Sequence, residues 1–202
     1  MKKIILTAAA VFALTFANAQ SKDKKESSEG FSKGDVYLTG TANYQTTKTG
    51  DAKSNGLTLA PGIGYFLSEN LALEGNLSIS SGTTNSGGVG AQDFKTTGFG
   101  IAAGVKYFWT PASKFSLSVG GKISYNSDKF DNGVATSTGK TIGLNVPVGL
   151  HYFVSNNFAI TSTWGGLGYS SNDNGGNGAD KTDRINFGLD MSSISFGLIY
   201  KL

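Results

Sequence analysis

Of the six Gly-x-x-Tyr tetrapeptides in this chain, four at near-regular spacing constrain it more than any other feature. They are Gly62-Ile63-Gly64-Tyr65, Gly104-Val105-Lys106-Tyr107, Gly149-Leu150-His151-Tyr152 and Gly197-Leu198-Ile199-Tyr200. The tyrosines recur at intervals of 42, 45 and 48 residues, which marks one supersecondary unit repeated with a lengthening connection. Each of the first three copies continues into Phe66-Leu67, Phe108-Trp109 or Phe153-Val154, then a short polar turn and a new alternating run. The fourth copy ends the sequence at Leu202. A repeat that finishes at the rim where its other turns lie predicts a closed up-and-down β-barrel.

Period-two alternation carries the same message, and no stretch beyond the N-terminal apolar run shows a convincing 3.6-residue period. Leu57, Leu59, Ile63, Tyr65 and Leu67 share one face, opposite Thr58, Ala60, Gly62, Gly64 and Phe66. Leu71, Leu73, Leu77 and Ile79 alternate in the same way with Ala72, Glu74, Asn76 and Ser78. Similar stripes run from Phe99 to Tyr107, Phe115 to Tyr125, Ile142 to Val154, and onward from Phe158. Three two-strand units give six strands; Val36 to Tyr44 supplies one before them and Ile185 to Leu202 one after. The fold class is therefore all-β, an eight-stranded antiparallel up-and-down barrel. In the last strand the apolar parity switches between Met191 and Ile194, predicting a bulge near Ser192-Ser193. Pro61 and Pro147 remove ladder donors inside strands, so local bulges are expected there too.

Composition decides what surrounds the barrel. In a secreted soluble barrel, the face opposite the apolar stripe meets water and carries many charges. Here that face holds Gly, Ala, Ser, Thr and Asn, and only 15% of the whole chain is charged. Such a face packs inside a narrow lumen while the Leu/Ile/Val/Tyr face meets lipid. Aromatics gather at both strand ends: Tyr65, Tyr107, Trp109, Phe115, Tyr152, Phe158 and Tyr200 near the short turns, Tyr44, Phe99, Tyr125 and Tyr169 toward the longer connections. Two girdles suit the two membrane interfaces, with Tyr65, Tyr107, Trp109, Tyr152 and Tyr200 as the interfacial anchors. The polar stretches Thr46 to Asn55, Ser81 to Lys95, Ser127 to Gly139 and Ser170 to Asp183 then read as four extracellular loops.

The N-terminus fits an exported protein. Lys2 and Lys3, an apolar run from Ile4 to Ala17, and Ala17-Asn18-Ala19 form a signal peptide over residues 1–19. The apolar run is too short to cross a hydrocarbon core of ~30 Å. Residues 20–32 are polar and charged, a stretch expected to stay disordered in the periplasm, and residues 33–202 form the barrel. Without cysteine, neither a disulfide framework nor a lipidated cysteine is available. The formal charge of +3 falls to +1 once Lys2 and Lys3 are removed, which argues against nucleic acid as a partner.

On these features the chain resembles the small outer-membrane β-barrels of Gram-negative bacteria, the group that includes the OmpA transmembrane domain and OmpX. The resemblance covers Lys33 to Leu202 and includes the terminal strand Phe196-Gly197-Leu198-Ile199-Tyr200-Lys201-Leu202. It implies residence in the outer membrane, contact with lipid and lipopolysaccharide, a monomer, and recognition of the C-terminal strand by the barrel assembly machinery. Members usually end in an aromatic residue, whereas this chain ends in Leu202 with Tyr200 two residues earlier. No peptidoglycan-binding domain is expected after the barrel. The implied role is envelope integrity or surface interaction without catalysis, a narrow channel for small solutes being the alternative.

Few residues invite chemistry. Glu74, Lys106, Lys122 and His151 share the inward parity and are expected to form a lumenal polar network, because an isolated buried charge is costly. His151 is the only histidine. A histidine–serine pair of the kind used by outer-membrane lipid A deacylases would have to face lipid, and His151 faces inward. Gly175-Gly176-Asn177-Gly178-Ala179-Asp180 matches a calcium repeat that works only in tandem arrays, and a single copy reads as a flexible loop. No metal or cofactor is expected.

Overall fold

The computed structural model describes residues 30–88, 90–175, 178–189 and 195–202. Strands β1 (Val36–Thr49), β2 (Ala52–Phe66), β3 (Leu71–Asn85), β4 (Asp93–Phe108), β5 (Phe115–Asp131), β6 (Thr136–Phe153) and β7 (Phe158–Asn172) each pair antiparallel with the next. Two further segments, β8 (Thr182–Leu189) and β9 (Ser195–Lys201), pair with successive parts of β7 and together make the eighth stave. The ring closes where β9 pairs with β1 over Tyr37–Gly40. This is the eight-stranded antiparallel barrel that the alternation predicts. The signal peptide, the leader before Gly30 and the expected bulge at Ser192-Ser193 lie outside the described residues.

Outward positions expose their apolar side chains, among them Ile63, Leu73, Leu77, Ile101, Ile123 and Leu144. Inward positions carry Gly, Ser, Asn and Thr, as a lumen with little room requires. The described strands β1 to β7 run 14 to 18 residues, longer than the ~9–11 that cross a bilayer. They therefore project past the membrane and consume most of the four polar stretches expected to be loops. What remains between β1 and β2 is the turn Gly50-Asp51, and residues 86–92, 132–135 and 173–181 make the other three connections. Thr and Ser fill the projecting ends and sustain strand pairing in water, so polarity alone did not mark a loop there.

The opposite rim is built by a recurring turn. Ser68 Oγ accepts from the Leu71 amide at 3.2 Å, and Ser155 Oγ accepts from the Phe158 amide at the same distance. Asn70 Nδ2 donates to the Phe108 carbonyl at 2.7 Å, and Asn157 Nδ2 to the Lys201 carbonyl at 2.9 Å. Each Ser-x-Asn turn thus closes its own hairpin and holds the end of the next strand.

The two prolines behave differently. Opposite Pro147 the β6–β7 register shifts by one residue, and the extra residue sits in β7, next to Gly165 and Gly166 at φ 139° and 147°. Pro61 produces no bulge. The β2–β3 register is the same on both sides of it, and the ladder only skips Ala60 and Pro61. The missing amide faces an interrupted stretch, so no residue needs to be inserted.

Candidate functional site: the lumen and its sealed end

Each of the four regularly spaced Gly-x-x-Tyr copies places its tyrosine outward and the following residue inward. Those followers are Phe66, Phe108, Phe153 and, in the last copy, Lys201. The three phenylalanines are fully buried, and Tyr37 of β1 completes a socket with them. Phe31 fills it. Its ring lies 4.7 Å from that of Phe66, 4.8 Å from Phe153, 5.1 Å from Tyr37 and 5.4 Å from Phe108, within the range of favourable aromatic packing. The Phe31 amide donates to the Pro111 carbonyl at 2.7 Å, and Lys201 Nζ donates to the Gly30 carbonyl at 2.6 Å. Gly30 adopts φ 100°, and a Cβ there would collide with Pro111 and Ala112; only glycine fits. Gly30, Phe31 and Ser32, expected to be disordered, are therefore held in place, because Phe31 finds an apolar site inside the barrel.

A polar layer lies directly above this seal. Tyr37 Oη donates to Glu74 Oε1 at 2.6 Å, and Lys106 Nζ reaches the same oxygen at 2.7 Å. Tyr37 and Glu74 both pair with Gly64, from opposite sides, and a Cβ on Gly64 would overlap the Tyr37 ring. Lys122 forms no ion pair with Glu74. It sits across Gly104 from it, two strands away, whereas Lys106 is the diagonal neighbour on the adjacent strand. His151 is buried apart from the carboxylate: Nε2 shares a hydrogen bond of 2.8 Å with Ser118 Oγ, and the ring packs 4.9 Å from Phe108. Its Nδ1 has no partner among the described residues. Of the four lumenal residues expected to form one network, Glu74 and Lys106 make a direct ion pair, His151 bonds to Ser118, and Lys122 lies one strand beyond Gly104.

Tyr65, Tyr107, Trp109 and Tyr152 stand exposed on the outer wall at the short-turn rim, and Tyr200 is half-buried there. Tyr107 and Trp109 meet edge to face at 5.7 Å, and Lys114 Nζ lies 5.7 Å from the Tyr152 ring centre. On the other rim, two residues of the Gly175–Asp180 segment lie outside the described residues. Among the described residues, no cluster of His, Cys, Asp and Glu could hold a metal ion.

Comparison with known proteins bears on this architecture directly. The outer membrane protein β-barrel domain family matches residues 6–192. The chain belongs to that family. Its place is accordingly the cell outer membrane. Among solved structures it is similar to the outer membrane protein OprG from Pseudomonas aeruginosa, at 15% identity and a TM-score of 0.48 over 86% of this chain and 98% of that one. Neisserial surface protein A is similar at 20% identity and a TM-score of 0.43, over 83% and 97%. A comparison with curated proteins found no match.

Nothing in the sequence alone pointed to Phe31, since a single aromatic in a polar stretch has no periodicity. The available signal was on the other side of the contact. Three inward phenylalanines at one rim of a lumen otherwise lined by small polar groups require an apolar partner.

Proposed function

We propose that this outer-membrane barrel is a closed, non-enzymatic wall protein that supports the envelope and presents its projecting extracellular hairpins for surface interaction. The observation that carries the reading is Phe31, which occupies the periplasmic mouth with its ring fully buried. The Glu74–Lys106 pair narrows the lumen immediately above, so water and solutes lack a through-path. Ser118 and His151 lie beside the sealed end, where an ester of a membrane lipid does not reach. The outward Phe196 and Leu198 of β9, both exposed to the bilayer side, fit recognition of the last strand by the assembly machinery. Planar-bilayer recording of the purified full-length mature protein tests the main claim. It is expected to show no discrete openings; stepwise conductance would replace this reading with a channel for small solutes.

A further inference from the structure

The seam between the first and last staves is the least extensive lateral contact of the described barrel. Along its whole length, Val36–Thr49, β1 pairs with β2, but its described ladder with β9 covers only Tyr37–Gly40. Outside, a furrow of about 790 Å³ runs beside that seam, walled by Leu38, Pro61, Ile160 and Leu198. Side-chain packing from the lipid side therefore does little to hold it shut.

Inside, Gly30 and Phe31 lie across the same seam. Lys201 of β9 holds the Gly30 carbonyl, and the Phe31 ring packs on Tyr37 of β1. The Phe31 amide reaches Pro111 between β4 and β5, which is diametrically opposite the seam in an eight-stave ring. The socket draws one ring each from β1, β2, β4 and β6, so it does not exist until those strands have rolled together.

We propose that Gly30–Phe31 is an intramolecular clasp that seats after the barrel closes and locks the closing seam to the far side of the periplasmic rim. An interaction formed after the folding transition state slows unfolding and leaves folding speed unchanged. Its loss should therefore appear in the unfolding rate, and a covalent bond across the seam should replace it.

The chain lacks cysteine, so an engineered disulfide reports without ambiguity. Gly40 and Leu198 face each other across the seam, and Gly75 and Ala103 across the β3–β4 ladder. A Cβ at Gly40 or Gly75 meets nothing within 4 Å. In full-length mature protein refolded in detergent, Phe31→Ala is expected to lower the melting temperature of the folded band by roughly 10 °C, through faster unfolding. The oxidised Gly40→Cys/Leu198→Cys pair should restore most of that loss, and the oxidised Gly75→Cys/Ala103→Cys pair should not. An unchanged melting temperature, slower folding in place of faster unfolding, or equal rescue by both disulfides would overturn the clasp. If Phe31→Ala yields no folded barrel, Phe31→Leu takes its place in both disulfide backgrounds, and the same outcomes support or overturn the clasp.

Discussion

Glu74 shows how much one lumenal carboxylate organises. It accepts from Tyr37 and Lys106 at a single oxygen, with its own side chain 10% exposed and that of Lys106 19% exposed. Removing one member of such a pair leaves the other charge buried without compensation, at about 3 kcal/mol. Glu74→Ala is therefore expected to shift the denaturant midpoint well below that of the parent barrel, and Glu74→Leu with Lys106→Met to recover part of the loss. A single variant as stable as the parent would show that water already solvates this layer. Parity and strand adjacency made the Glu74–Lys106 contact legible in the sequence. Tyr37 was not, because its reach depends on Gly64 leaving an open lane across β2, and alternation alone does not reveal which glycine serves as a lane. Lys122 shares the inward parity from two strands away, and about 4.8 Å separates each strand from the next, so it makes no direct ion pair with Glu74.

At the scale of elements, strand identity and order were legible and strand length was not. Alternation among Leu, Ile and Val fades where the wall leaves the lipid, yet β1 continues through Thr46, Thr47, Lys48 and Thr49. Hydrogen bonding sustains the ladder where hydrophobicity no longer marks it. The same economy appears in the connection after β7. Asp173 Oδ1 accepts from the Lys140 amide at 2.7 Å and the Gly175 amide at 3.1 Å, and the Lys140 amide is the main reason its carboxyl is held below the usual value of 3.8. A depressed folded-state pKa favours the ordered loop at pH above 3.8, and that preference is lost as pH falls through the lowered value. The amide resonances of Lys140 and Gly175 should hold steady from neutral pH downward and move together only at a midpoint below pH 3.8. In Asp173→Asn that joint titration should disappear; if it persists, another group controls the loop.

The two ends of the described barrel differ. Thr41, Asn43 and Gln45 line the long-connection half of β1 facing inward and are exposed, while Ser116, Ser118 and His151 near the short-turn end are buried. On the proposed reading, the aromatic cluster around Phe31 and the ion pair above it divide the two ends. That division can be read with a thiol, since the parent chain has none. Ser116→Cys is nearly isosteric and fully buried, so a water-soluble maleimide should leave it unlabelled in folded protein, while Asn43→Cys should react readily. Adding Phe31→Ala to Ser116→Cys removes the ring that fills the mouth and should expose the thiol from the periplasmic side, with the barrel still folded by its gel mobility. A Ser116→Cys thiol that stays protected without Phe31 would mean that Phe66, Phe108 and Phe153 close over the gap by themselves. The seal would then belong to the Gly-x-x-Tyr-Phe repeat alone, and the N-terminal segment would only decorate it.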